Sequence, residues 1–216
     1  MSEWALETFK AYDIRGIAGS QLTPAFANRL GQALPTFLDC RALAVGRDIR
    51  ESGPELHEAF VNGLMSAGCD VHDLGICTTG ALYSATANLN VDGGVMITAS
   101  HNPPEYNGFK MCRGTAAMAG DEIQALRAVF ETGNFRSGDG SHIDAGDFLS
   151  TYMSDVIENA GLPARTVKVS IDCANAVPGP FICLLYTSPS PRDATLSRLP
   201  WWGWKKRGGG GGGGGG

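Results

Sequence analysis

The sequence predicts an α/β protein whose sheet carries helices on both faces, and three observations lead there. Short apolar runs such as Ala42–Val45 and Gly94–Thr98 read as buried strands. Between them lie longer segments whose apolar residues recur at helical spacing. Caps and stops bound those segments, and strands separated by helices of this length favour one layered sheet.

The elements follow in order. Phe9–Arg15 reads as an opening strand or extended segment, turned by Gly16 and Gly19. Thr23 then caps a helix with Pro24 in its first position, and Phe26, Leu30, Ala33, Leu34 and Phe37 share one face. Pro35 falls inside that pattern and is expected to end or bend the helix. After the strand at Ala42–Val45, a second helix runs from Pro54 to about Ala67, with Ser52 as cap and Gly68 as stop. Asp70–Leu74 is a strand, and Gly80–Asn88 a weaker helix. Gly94–Thr98 and Gly108–Cys112 are strands, and a helix runs from Asp121 through Phe130. Residues 132–146 hold four glycines and read as a loop or linker. Helical register returns in Asp147–Ala160, and Thr166–Asp172 alternates as a further strand.

The net charge of −5 over 216 residues averages two unlike segments. Residues 182–216 hold five of the 17 basic and one of the 22 acidic residues, leaving residues 1–181 with 12 and 21, a net −9. An acidic body without a Lys/Arg cluster argues against nucleic-acid and anionic-membrane partners. The opening MSEWALETFK does not resemble a secretory leader, and no stretch approaches the apolar length of a bilayer span. The six cysteines form no C-x-x-C pair and the four histidines are scattered. Reduced thiols in a cytoplasmic protein are expected, rather than disulfides or zinc.

Chemistry concentrates in Thr98-Ala99-Ser100-His101-Asn102-Pro103-Pro104, which follows a buried strand. Sheets of this type place reacting groups in loops beyond strand ends. Ser100 offers a hydroxyl and His101 an imidazole, while two prolines stiffen the exit. On its residues alone, the loop reads equally as a catalytic loop or as a polar turn. Arg47, Asp48 and Arg50 read as a charge network that fixes loops, with direct substrate contact as the alternative.

Three motifs, FKAYDIRG (Phe9–Gly16), VGRDIRESGPEL (Val45–Leu56) and TASHNPPEYNGFK (Thr98–Lys110), resemble the α-D-phosphohexomutase family in order and spacing. The similarity covers nearly all of residues 9–181 and is strongest to its bacterial phosphomannomutase/phosphoglucomutase branch, with the glucosamine-phosphate branch as the alternative. The resemblance implies a three-layer α/β/α first domain. It implies a phosphotransferase that interconverts hexose 1-phosphate and hexose 6-phosphate, of mannose or glucose, through a phosphoserine and a bisphosphorylated sugar. Ser100 matches the phosphorylated serine. Arg15 and Lys110 match basic residues that stabilise the transferred phosphoryl group. For Arg15 an ion pair with Asp13 is the bland alternative, and for Lys110 a solvated charge on an edge strand. His101 is expected to assist proton transfer, bond the phosphate or order the loop. Tyr12 and Asn102 are the expected substrate-side residues, with core-edge packing and a loop-turn role as their alternatives.

The family's magnesium would take the phosphate on Ser100 as one ligand, with the rest from an Asp-Gly-Asp-Gly-Asp-Arg loop that this sequence lacks. Gly138-Asp139-Gly140 stands in the wrong place to replace it. The resemblance therefore divides the chain into a first domain with the phosphoserine loop (1–132), a linker and connecting helix (133–164), and the truncated start of a second domain (165–181). Residues 182–216 are expected to be a disordered, non-native tail, since LLYTSPSPRD, a Trp-rich basic run and nine glycines look like translated sequencing adapter. Such a piece is expected to have little or no mutase activity by itself. A stand-alone phosphosugar-binding or interaction domain is the competing expectation, and the sequence is silent on oligomeric state.

Overall fold

The computed structural model describes residues 4–160, 171–173, 176–179 and 181–182. The chain divides into two compact units, Met1–Asp155 and Val156–Gly216.

The first unit is built on one mixed sheet. Its strands are β1 (Ile14–Ile17), β2 (Ala42–Arg47), β3 (Asp70–Ile76), β4 (Gly93–Ile97), β5 (Tyr106–Arg113), β6 (Ala116–Ala117) and β7 (His142–Asp144). They lie in the order β1-β5-β4-β2-β3-β7, with β6 paired to β5. β2 runs parallel to β3 and β4, while β5 runs antiparallel to both β4 and β1.

Pleating sends alternate side chains to two cores. Leu43 and Val45 of β2, with Val95 and Ile97 of β4, join the larger core. Ala44 and Met96, between them in sequence, join the smaller one on the other face. The larger core is covered by α1 (Pro24–Leu38), α2 (Gly53–Ser66) and α4 (Asp121–Thr132). The smaller is covered by α3 (Thr79–Asn88), with Phe148, Leu149 and Tyr152 from the start of α5 (Phe148–Ala160) packed against it. The expected layering, helices on both faces of a central sheet, is present.

Local signals set most boundaries. Thr23 Oγ1 accepts the Phe26 amide at 3.1 Å, and Pro24 opens α1. Pro35 does not end the helix, which runs on to Leu38 before Asp39 turns left-handed at φ 51°. Pro35 is buried with Leu34 and Leu38, and that burial offsets the lost backbone bond. α1 and α2 approach so closely that a Cβ at Gly63 would stand 2.1 Å from the Asn28 carbonyl oxygen, and one at Gly31 2.3 Å from that of Phe60. Glycine at this crossing is a packing requirement.

Three expectations change. The opening segment is a 3₁₀ turn (Leu6–Thr8) followed by a strand that starts only at Ile14. Ser52 stands at the start of α2 but makes no side-chain cap; its hydroxyl instead accepts Asn107 Nδ2 at 2.9 Å. Residues 132–146, read as a loop, contain β7, which pairs parallel to β3. Two of its side chains, Arg136 and His142, pin that region. Arg136 donates to the carbonyls of Ala67 and Cys40. His142 Nε2 and His57 Nε2 lie 3.0 and 3.1 Å from the two oxygens of Asp73. Burial raises the Asp73 pKa, but the His57 hydrogen bond, the Gly75 amide, the His57 charge and His142 outweigh it and hold the carboxyl well below the usual range.

The cysteines of the described residues are free thiols. Burial, with the Asp73 charge, pushes the Cys77 thiol up to about 12, which leaves it an inert core residue. Among the described residues no helix is long and apolar enough to cross a membrane. In the second unit, Ala176 and Gly179 amides bond the carbonyls of Cys173 and Ala176 at 2.7 and 3.1 Å. The strand expected at Thr166–Asp172 and the expected tail fall almost wholly outside the described residues.

Candidate functional site

The fully buried strand β4 ends at Ile97, and the chain emerges through Thr98 and Ala99, both buried, to an exposed Ser100. Ser100 has a left-handed backbone at φ 56°, shared among non-glycine described residues only with Asp39. Such a conformation persists only where the surroundings hold it.

Thr98 supplies the first hold. Its hydroxyl accepts the Ser100 amide at 2.9 Å and donates to Asp48 Oδ2 at 2.7 Å. Asp48 is in reach because β2 and β4 are parallel neighbours, so their C-terminal ends open side by side; its own amide bonds Ile97 O at 3.0 Å. Arg50 supplies the second hold. Its Nε bonds Asp48 Oδ2 at 3.2 Å. Its Nη1 donates to Pro103 O at 2.7 Å and Tyr106 O at 3.0 Å, and its Nη2 to Ser100 O at 2.9 Å and Asn102 O at 2.8 Å. The Arg-Asp-x-Arg cluster thus forms the loop-fixing network expected of it. Arg47 completes it by donating to Asp48 O at 3.2 Å.

Asn102 closes the turn, its Nδ2 donating to Ala99 O at 2.9 Å. That hydrogen bond is the loop-turn alternative of the sequence reading. His101 Nδ1 lies 3.3 Å from Ser100 Oγ, so adjacent residues do meet here.

Arg15 and Lys110 arrive from β1 and β5. Arg15 stands opposite Gly108, and Lys110 opposite Met96 of β4. Arg15 Nη1 donates to Ala99 O, next to the serine, at 3.2 Å, while its Nη2 pairs with Asp13 Oδ2 at 2.5 Å. Lys110 Nζ lies 3.4 Å from the same Asp13 oxygen. One nearly buried carboxylate therefore holds both cations on the serine side of the sheet. The ion pair suggested for Arg15 exists, and its Nε is buried without a partner among the described residues. Lys110 is not on an edge strand, since β5 lies between β1 and β4. Tyr12 is 78 % exposed, which removes core-edge packing as its explanation.

Sequence reasoning missed Thr98. Its signal was a hydroxyl two residues before the serine, the spacing of a side chain that captures a backbone amide. Two carboxylates near Ser100 are committed: Asp13 to two cations, Asp48 to Thr98 and Arg50. No group of three or more His, Cys, Asp or Glu among the described residues could hold a metal ion. Magnesium prefers several oxygen ligands, so these residues do not by themselves fit it. Asp139 is remote from the loop. It lines a cleft of about 430 Å³ with Arg41, Asp70 and Arg136, at the strand ends opposite to Ser100.

Known proteins resemble this chain in sequence and in fold. The family model for phosphoglucomutase/phosphomannomutase, alpha/beta/alpha domain I, matches residues 6–137. A phosphomannomutase/phosphoglucomutase of Pseudomonas aeruginosa is 42 % identical over 79 % of this chain and 37 % of its own length. A phosphoglucomutase of Neisseria gonorrhoeae is 41 % identical over 86 % of this chain and 41 % of its own. The crystal structure of a phosphoglucomutase/phosphomannomutase family protein from Burkholderia thailandensis superposes with a TM-score of 0.77 at 37 % identity, covering 85 % of this chain and 42 % of that one. The chain thus spans about two fifths of the length of these relatives. On the family model over residues 6–137 and on these identities, the chain belongs to the phosphoglucomutase/phosphomannomutase family.

Proposed function

We propose that this chain is the phosphoserine-bearing part of a hexose phosphate mutase acting on mannose or glucose phosphates. The observation that carries the reading is an exposed Ser100 hydroxyl on a braced loop, with two incompletely paired cations beside it. In the working cycle, the phosphoryl group on Ser100 Oγ passes to the free hydroxyl of a hexose monophosphate, giving a bisphosphate. The P–O bond to serine breaks as the P–O bond to the sugar forms, and the proton of that sugar hydroxyl ends on the freed Ser100 oxygen. The other phosphoryl group then returns to Ser100, whose hydroxyl proton passes to the sugar oxygen freed at that step.

His101 Nδ1, 3.3 Å from Oγ, is placed to take that proton. Arg15 and Lys110 meet the charge of a phosphoserine, about −1.5 to −2 at neutral pH, and of the phosphoryl group in transit. Tyr12 faces solvent, where a substrate could meet it. Asn102 braces the loop turn through its bond to Ala99 O. Magnesium, expected from the family, would bind the phosphate on Ser100 with ligands from outside the described residues. A cytoplasmic setting suits such an enzyme.

The test is phosphoryl uptake and turnover. In a chain extended to the length of its relatives, Ser100→Ala should lower glucose 1-phosphate to glucose 6-phosphate conversion by orders of magnitude and leave the circular dichroism spectrum unchanged. Full turnover in that variant would remove the serine from the mechanism.

A further inference from the structure

We propose that Arg50 is a positioning residue that sets the left-handed backbone of Ser100 and takes no part in binding substrate. A guanidinium has five N–H donors in one rigid plane. Arg50 uses all five: one on Asp48 and four on the carbonyls of Ser100, Asn102, Pro103 and Tyr106. Nothing is left to donate to a phosphate. Its side chain is only 12 % exposed, and its charge is matched by Asp48.

The four carbonyls bracket the reactive residue. One is that of Ser100 itself, and the others follow in the turn that returns the chain to β5. Thr98 fixes the Ser100 amide while Arg50 fixes the Ser100 carbonyl, so both peptide groups around its α-carbon are held from behind. With the backbone pinned at φ 56°, Oγ has only its own rotamers to explore. Holding a reacting atom in one place is worth much of a barrier. That purpose rests on the phosphoryl-transfer reading; the bracing does not.

Lysine cannot replace this arrangement, because its ammonium has three donors and no plane. The experiment compares the 216-residue chain with R50K and R50Q by amide hydrogen exchange and by the carbon chemical shifts of Ser100. The Ser100, Asn102 and Tyr106 amides are hydrogen-bonded within the loop and report on it. In both variants their exchange should accelerate about tenfold or more, the scale of losing bonds to a charged donor. The Ser100 shifts should lose their left-handed signature, while α1 and β2 amides keep wild-type protection. Unchanged loop exchange or unchanged Ser100 shifts in R50K would overturn the proposal. So would a uniform loss of protection through α1 and β2, which would make Arg50 a general stability residue. Phosphoryl uptake at Ser100 from glucose 1,6-bisphosphate, read by mass in the extended wild-type chain, is separate. Its failure would sink the phosphoryl-transfer reading and leave the loop measurement standing.

Discussion

The two sides of the serine loop treat their cations differently. Behind the loop, Arg50 has a partner for every donor and a carboxylate for its charge. In front, Arg15 keeps its Nε buried without a partner among the described residues, and Arg15 and Lys110 share the single carboxylate of Asp13. Saturated donors build structure. Two cations that share one carboxylate beside an exposed hydroxyl leave positive charge for an incoming anion to meet. Sign of charge alone would have grouped these residues together, and the tally of donors separates them.

That contrast can be broken from either side. The largest effect is expected in front. In the extended chain, Lys110→Met should cut turnover by about 10²–10³-fold, the scale of removing one preorganised donor to developing charge. Its thermal midpoint should hold, since Asp13 retains Arg15. A variant that turns over normally, or unfolds early, would place Lys110 with the structural cations instead.

A smaller effect is expected behind. Asp48→Asn keeps the shape but strips the countercharge from a mostly buried guanidinium. It should cost about 3 kcal/mol in a denaturant titration of the 216-residue chain. A change within about 0.5 kcal/mol, the range of ordinary surface substitutions, would mean that the back wall is not electrostatically tuned.

The smallest effect lies away from both sides, at the carboxylate that joins α2 to β7. The Asp73 carboxyl is held below its usual range, so its contribution is complete above the unfolded value of about 3.9. It is lost only as pH falls through the depressed folded value. Asp73→Asn should therefore lower stability by about 2 kcal/mol at neutral pH. The gap from wild type should close on acidification below that range. A difference that persists unchanged into strong acid would show that packing, not charge, is lost.

How far the sequence could foretell these features depended on how local their causes are. Thr23 and Pro24 announce α1 because a cap acts over three residues. The apolar runs at β2 and β4 announce buried strands because both faces of the sheet are covered. The serine loop was legible because its motif is contiguous. β7 was not: its three residues are exposed, and what holds them is β3 and Asp73, some seventy residues away. The run of α1 past Pro35 was not legible, because the local cost of a proline is visible and the compensating burial is not. The role of Arg50 was half legible. Its neighbour Asp48 suggested a network, but four of its five partners are backbone carbonyls fifty or more residues distant, which leave no trace in side-chain chemistry.

The φ of 56° at Ser100 also bears on which nucleophile this scaffold admits. Threonine offers the same hydroxyl and the same phosphoester chemistry. Its second Cβ substituent, however, makes a left-handed backbone a genuine outlier for β-branched residues. The brace that aims the oxygen therefore also filters the residue that can supply it. Serine is held in place here by the shape of the main chain as much as by the reaction.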